Sequence, residues 1–170
     1  MSVKTDAEGI AAAALEANRT GGLPPVHLWN PPYCGELDME IRADGTWFYE
    51  GTPIGRPELV RLFSSILRKE GANYVLVTPV EKVGIRVEDA PFVAVDAEVD
   101  GEGRGQTVTF LTHVGDSVVA GSERPIRVER DAATGEPRPY VLVRAELEAL
   151  IDRKTFYRLV EAGTHHEVDG

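Results

Sequence analysis

From Tyr74 to Arg130 the chain breaks into six short β-rich runs, and this punctuation limits the fold more than any other feature. The runs read YVLVTPV, VGIRVE, FVAVDAEV, QTVTFLTHV, DSVVAG and PIRVER, with EDAP, DGEGRG, GD and SERP among the spacers. Val, Ile, Thr and Phe suit a pleated, half-buried surface, whereas Gly, Asp and Pro at regular intervals make the chain turn. Runs this short with turns this regular predict antiparallel meanders rather than strands joined by crossover helices.

Helices are expected only outside this region. TDAE at Thr5 to Glu8 fits a capping box, in which hydroxyl and carboxylate satisfy orphan backbone donors, and predicts a short Ala-rich helix to about Asn18 that stops at Gly21-Gly22. LPPVHLWNPPYCGELD carries four prolines and is read as an extended strap, with Leu28, Trp29 and Tyr33 covering the core. MEIRADGTWFYEG places β-rich flanks around Asp44-Gly45, the two-residue signal for a type I′ hairpin. GRPELVRLFSSILRKEG sets Leu59, Leu62, Phe63, Ile66 and Leu67 at helical spacing, with Pro57 in the first turn and Gly71 as the stop. After the loop DAATGEPRP, YVLVRAELEALIDRKTFYRLVEAG enters as a strand and turns helical through Leu147, Leu150, Ile151, Phe156, Leu159 and Val160.

Together these elements describe an α+β chain. Two similar α+β halves are expected, with antiparallel sheets and amphipathic helices packed on them, after an N-terminal helix and Pro-rich strap. The expected segments are 1–35 for the helix and strap, 36–102 for the first half and 103–170 for the second. Both halves pair an aromatic-bearing strand with a helix opening on Glu-Leu, an outline too common to establish duplication by itself.

Composition narrows the partners. With 42% hydrophobic and 27% charged residues the chain resembles folded globular proteins, and 170 residues suffice for a core without staples. A net charge of −10 opposes nucleic-acid binding, which needs clustered Lys and Arg against phosphate. No run approaches the roughly 20 apolar residues of a spanning helix. Asp6, Glu8 and Glu16 interrupt the stretch where a signal peptide would be apolar. The one cysteine, Cys34, excludes an intramolecular disulfide and suits a reducing cytosol. The expectation is a cytoplasmic protein with neither nucleic acid nor membrane as partner.

Chemistry is sparse. The glycines of DGEGRG lack the Lys-Ser/Thr ending of a phosphate-cradling loop and read as a hairpin turn. His27, His113, His165 and His166 form no i, i+4 pair with a nearby glutamate, so no metal is expected, and no cofactor or catalytic residue either. Cys34 reads as a packed thiol in the strap. His113 reads as a hydrogen-bonded histidine at a strand end, ahead of an acid–base role. Trp47, Phe48 and Tyr49 occupy consecutive strand positions and face both sides of a sheet, so that either both sides are covered or one offers an aromatic patch for a homodimer.

The stretch PPYCGELDMEIRADGTWFYEGTPIGRPELVRLFSSILRKEG followed by YVLVTPVEKVGIRVEDAPF resembles DUF1285, a bacterial family of unknown function. The likeness continues through THVGDSVVAG, PIRV and YVLVRAELEALIDRKTFYRLVEAG, covering roughly residues 26–163. The resemblance implies a two-part α+β fold with repeated structural motifs and a signalling or ligand-binding role. One departure is visible, since Glu123 and Arg124 precede Pro125-Ile126-Arg127 where the family pattern has Asp or Asn, then His, before Pro-Leu-Arg.

The segment TPVEKVGIRVEDAPF, residues 78–92, concentrates the remaining polar residues. Strand alternation puts Lys82, Arg86 and Glu88 on one face, leaving Glu81 on the apolar face unless a bulge resets the register. Two readings stay open: an exposed charged ladder with Glu81 at a strand end, or a polar pocket formed by Thr78, Glu81, Lys82, Arg127 and His113. The pocket reading makes the protein a non-enzymatic binding or sensory module for a small polar or anionic ligand held between its halves. Alternatives are a small-molecule enzyme using Glu81 or His113 as general base, and a homo-oligomeric adaptor using the aromatic strand.

Overall fold

The computed structural model describes residues 7–18, 23–101, 105–121 and 123–163. The chain divides into two units, 1–88 and 89–170. The boundary expected at 102 instead falls between two paired strands of the second unit. The Thr5 capping box, the Gly21-Gly22 stop, His165 and His166 lie outside the described residues.

In the first unit, α1 (Ala7–Ala17) and a one-turn 3-10 helix (Val26–Leu28) precede β1 (Tyr33–Ile41), β2 (Trp47–Tyr49) and β3 (Thr52–Pro53). After α2 (Pro57–Ser65) follow β4 (Leu67–Glu70), β5 (Asn73–Val77) and β6 (Lys82–Val87). On β1 the inward residues Leu37, Met39 and Ile41 alternate with outward Glu36, Asp38 and Glu40, the period-two pattern of a sheet with one covered face. Ile10, Trp47, Phe63, Ile66, Leu76 and Val83 are buried with these inward residues in the core of this unit. Trp47 stacks on Phe63 with ring centroids 6.1 Å apart.

Several expectations are corrected here. The β1–β2 hairpin forms, but not through a type I′ turn. Gly45 N–H bonds to the Arg42 carbonyl at 2.9 Å, and of the turn residues Gly45 alone has positive φ, 91°, the three-residue loop of a type I turn with a glycine bulge. Helix α2 ends at Ser65 rather than Gly71. The Ser64 and Ser65 hydroxyls donate back to the Arg61 and Leu62 carbonyls at 2.7 and 2.6 Å, competing with helix propagation, and Leu67 to Glu70 then pair with β5. Of its three large side chains, the strap does not lay Leu28 and Tyr33 on the core, since they are 71% and 56% exposed, while Trp29 is half-buried. Backbone carbonyls hold it instead: Arg68 Nη1 donates to Val26 and Trp29 at 2.7 and 2.8 Å.

The second unit contains β7 (Phe92–Asp100), β8 (Thr107–Thr112), β9 (Ser117–Val119), β10 (Ile126–Arg130), β11 (Pro137–Arg144), β12 (Leu147–Ile151) and α3 (Arg153–Gly163). Leu147 to Ile151, read as helix from its spacing, is strand β12, with Leu147, Ala149 and Ile151 buried in alternation. The helix begins only after Asp152, whose carboxylate accepts the Thr155 N–H at 2.8 Å as an N-cap. The Glu-Leu helix opening therefore does not repeat.

The sheets do repeat. They run β3-β2-β1-β6-β5-β4 and β10-β11-β12-β7-β8-β9. Numbered within its own unit, each sheet reads 3-2-1-6-5-4 from one edge to the other. Two antiparallel three-stranded meanders are joined at the centre by a parallel pair, β1 with β6 and β7 with β12. Each sheet is thus mixed rather than purely antiparallel, because the first and last strands of a unit meet to fuse its meanders.

A candidate binding cleft in the first unit

The face of the first sheet opposite the core is built by β1, β4, β5 and β6. Val83 and Ile85 turn to the core, so Lys82, Gly84 and Arg86 face the other way. Cross-strand register sets Arg68, Val75 and Gly84 in one row, and β1 extends that row with Glu36 beside Gly84. One step along the same face, Lys82 lies beside Val77 on β5 and Tyr33 on β1.

Glu70 joins the two cations. Lys82 Nζ donates to both of its oxygens at 3.0 and 3.3 Å, and Arg68 Nε donates to Oε2 at 3.0 Å. The Arg68 and Lys82 side chains are only 18% and 16% exposed, and that of Glu70 34%. Burial pushes the Glu70 pKa up, but the hydrogen bonds from Arg68 and Lys82 outweigh it and leave the carboxyl below its ordinary value. The group of three carries a net charge of +1.

An open cleft of about 410 Å³ lies against this face, with Tyr33, Glu36, Glu70, Tyr74, Lys82 and Gly84 among its walls. Gly84 keeps its floor clear. A Cβ there would stand 3.0 Å from the Tyr33 hydroxyl and 3.5 Å from Glu36 Cγ, so any larger residue pushes into the space.

Of the five residues expected in a pocket, Lys82 alone lines this cleft. Thr78 is fully buried and makes a turn: its hydroxyl accepts the Val80 and Glu81 N–H groups at 3.3 and 3.1 Å, while its own N–H bonds to the Glu81 carbonyl at 2.9 Å. Glu81 sits in that turn before β6, at the strand end rather than on the apolar face. Arg127 belongs to the second unit, where it binds Glu148 at 2.8 and 2.7 Å, pairs with Glu129 and lies 4.4 Å over the Tyr140 ring. His113, also in the second unit, accepts the Val93 N–H on Nδ1 at 3.2 Å, which places the neutral ring's proton on Nε2.

The aromatic strand is not a sheet edge, because β3 pairs with β2. Trp47 is 1% exposed and belongs to the core; Phe48 is half-buried under the Arg42 guanidinium, 4.4 Å from its ring, and Tyr49 is half-buried too. Glu36, Glu70 and Gly84 went unrecognised in the sequence. Glu70 was hidden by reading Leu67–Glu70 as helix, although Gly71 between LRKE and NYVLV also signals a hairpin.

The shared topology allows a residue-by-residue comparison of the units. The row Arg68–Val75–Gly84 corresponds to Arg127–Tyr140–Leu150, and Lys82 corresponds to Glu148. Glu70 corresponds to Glu129, and Glu36 to Val93, which pairs with Leu150. Both units therefore place an Arg-x-Glu pair on their fourth strand and bond it to the sixth. In the second unit Leu150 stands where Gly84 stands in the first, beside the buried Tyr140. The Tyr140 hydroxyl donates to Asp89 at 2.7 Å, and burial together with that carboxylate pushes its pKa up to about 12.

Paired six-stranded sheets with one strand order define a two-part repeated fold of low helix content. Residues 24–90 match the N-terminal domain of the domain of unknown function DUF1285, and residues 91–170 match the DUF1285 C-terminal domain. The chain belongs to the DUF1285 family. It is 64% identical to a DUF1285 family protein from Silicibacter pomeroyi DSS-3, with a TM-score of 0.85 over 93% of this chain and 85% of that one. A DUF1285 family protein from Shewanella baltica OS155 is 28% identical, with a TM-score of 0.58 over 74% of this chain and 91% of that one. No curated protein matches. Among the described residues no helix is long and apolar enough to cross a membrane.

Proposed function

We propose that the protein is a non-enzymatic, cytoplasmic binding module of the sensory kind, and that its small polar ligand occupies the cleft of the first unit. The observation that carries this reading is the glycine floor at Gly84 beneath a fixed charged group, Arg68–Glu70–Lys82. A binding site needs concavity and a few polar groups whose positions are set before the ligand arrives. Glu70 holds Lys82 in place, and Arg68 ties the same group to the strap, so little side-chain freedom remains to be lost on binding. Binding is favoured over acid–base catalysis because neither Glu81 nor His113 lines the cleft, and His113 Nδ1 is engaged by backbone.

A thermal-shift panel of small polar metabolites tests this. Both tryptophans, Trp29 and Trp47, lie in the first unit, so their fluorescence follows that unit. At a hundredfold excess over Kd a ligand stabilises by about 2.7 kcal/mol, a rise of several degrees in Tm. Gly84→Leu crowds Tyr33 and Glu36, so it is expected to lower the melt and to abolish the shift measured from its own baseline. A ligand that shifts Gly84→Leu as strongly as the wild type removes the cleft from the account.

A further inference from the structure

We infer that the ligand is a small zwitterion carrying one ammonium and one carboxylate, with free amino acids as its simplest members; this deepens the cleft reading above and rests on it. Lys82 Nζ has three N–H donors, and its two bonds to Glu70 leave one for a ligand carboxylate. Across Gly84 stands Glu36, an exposed carboxylate with no hydrogen bond among the described residues. Arg86 raises the local positive potential near Glu36, but its guanidinium is bonded to Asp38 at 2.8 Å. Two residues along a strand span about 6.7 Å and neighbouring strands stand about 4.8 Å apart, so the Lys82 and Glu36 backbones are roughly 8 Å from one another. The bare Gly84 lies between them.

Charge selects the ligand class. A simple anion would gain Lys82 but meet Glu36, and a simple cation would gain Glu36 but meet Lys82, whose charge Glu70 only partly offsets because Arg68 shares that carboxylate. A zwitterion with its charges a few ångströms apart satisfies both poles at once. The second unit supplies an internal control, because all three features change there together. Lys82 is replaced by Glu148, Glu36 by Val93 and Gly84 by Leu150, and the corresponding group of Arg127, Glu129 and Glu148 has a net charge of −1. One copy of the repeat thus sets a bare glycine between Lys82 and Glu36, while the other has a leucine there and neither charge at the matching positions.

The experiment is calorimetric titration and thermal shift with the twenty proteinogenic amino acids, β-alanine and γ-aminobutyrate, each alongside its decarboxylated amine and its desamino acid. At least one zwitterion should bind, and both of its one-charge counterparts should bind about tenfold more weakly or worse, the scale of one charge-assisted hydrogen bond. Glu36→Gln, a surface change that leaves packing intact, should weaken the zwitterion about tenfold and tighten the desamino acid, whose carboxylate then meets no like charge at that position. Lys82→Met should weaken the zwitterion and tighten the decarboxylated amine, with the tryptophan melt reporting its folding. A desamino acid or amine that binds as tightly as its parent overturns the zwitterion while leaving the cleft reading standing, provided Gly84→Leu abolishes that binding. If no zwitterion binds, the inference fails, and if no one-charge compound binds either, the cleft reading fails with it.

Discussion

Replacing Glu70 by Gln should weaken the first unit in a pH-dependent way. The change keeps the shape but leaves Arg68 and Lys82, 18% and 16% exposed, without the carboxylate that neutralises them. Removing one partner of a fully buried charged pair costs about 3–5 kcal/mol, whereas an exposed pair contributes about 0–1 kcal/mol. With Glu70 itself a third exposed, solvent screens much of the effect, and about 1–2 kcal/mol is expected, a fall in Tm of roughly 2–8 °C. The folded-state pKa of Glu70 lies below its ordinary value of 4.5, so its contribution is present above that pH and lost as pH falls through the lower folded value. Urea unfolding followed by tryptophan fluorescence should therefore show a midpoint difference between wild type and Glu70→Gln at pH 7 that shrinks steadily below pH 4.5. Equal midpoints at pH 7, or a difference that grows in acid, would refute the stabilising role of the three-residue group.

Other consequences follow from single residues. Tyr140, with its pKa raised to about 12, holds its proton more tightly folded than unfolded, so it destabilises the second unit progressively as pH rises from 10 towards 12. Circular-dichroism melts at pH 9 and 11 should show that loss reduced in Tyr140→Phe. Gly45→Ala forces a side chain into φ 91° and should cost about 1–2 kcal/mol in the tryptophan-detected transition. Arg158→Gln breaks a bond to Asp96 in a pair more than half exposed on both sides, and its melting curve should overlay that of the wild type.

The strands were legible because β-branched runs and turn residues alternate at short range, and each of the six runs after Tyr74 forms a strand. The errors lie where one pattern satisfies two periods. Leu147, Leu150 and Ile151 fit a helix, but Leu147, Ala149 and Ile151 fit a strand equally well, and pairing with β11 and β7 decides between them. Ile66 and Leu67 likewise extend the helical spacing of α2, while the strand that Leu67 begins is chosen by β5. Parallel pairing of β1 with β6 joins residues more than forty positions apart, beyond any local signal. Lys82 was found because a charge in a β-rich run stands out. Glu36 and Gly84 were missed because their meaning comes from lying side by side across that long-range pair.

The most direct test of the central claim is an amide chemical-shift map of the wild-type protein titrated with the tightest ligand from the panel. The account predicts saturable shifts largest at Tyr33, Glu36, Lys82 and Gly84, and small ones at the corresponding Glu148 and Leu150. Shifts concentrated in residues 89–170, with the first unit silent, would contradict it.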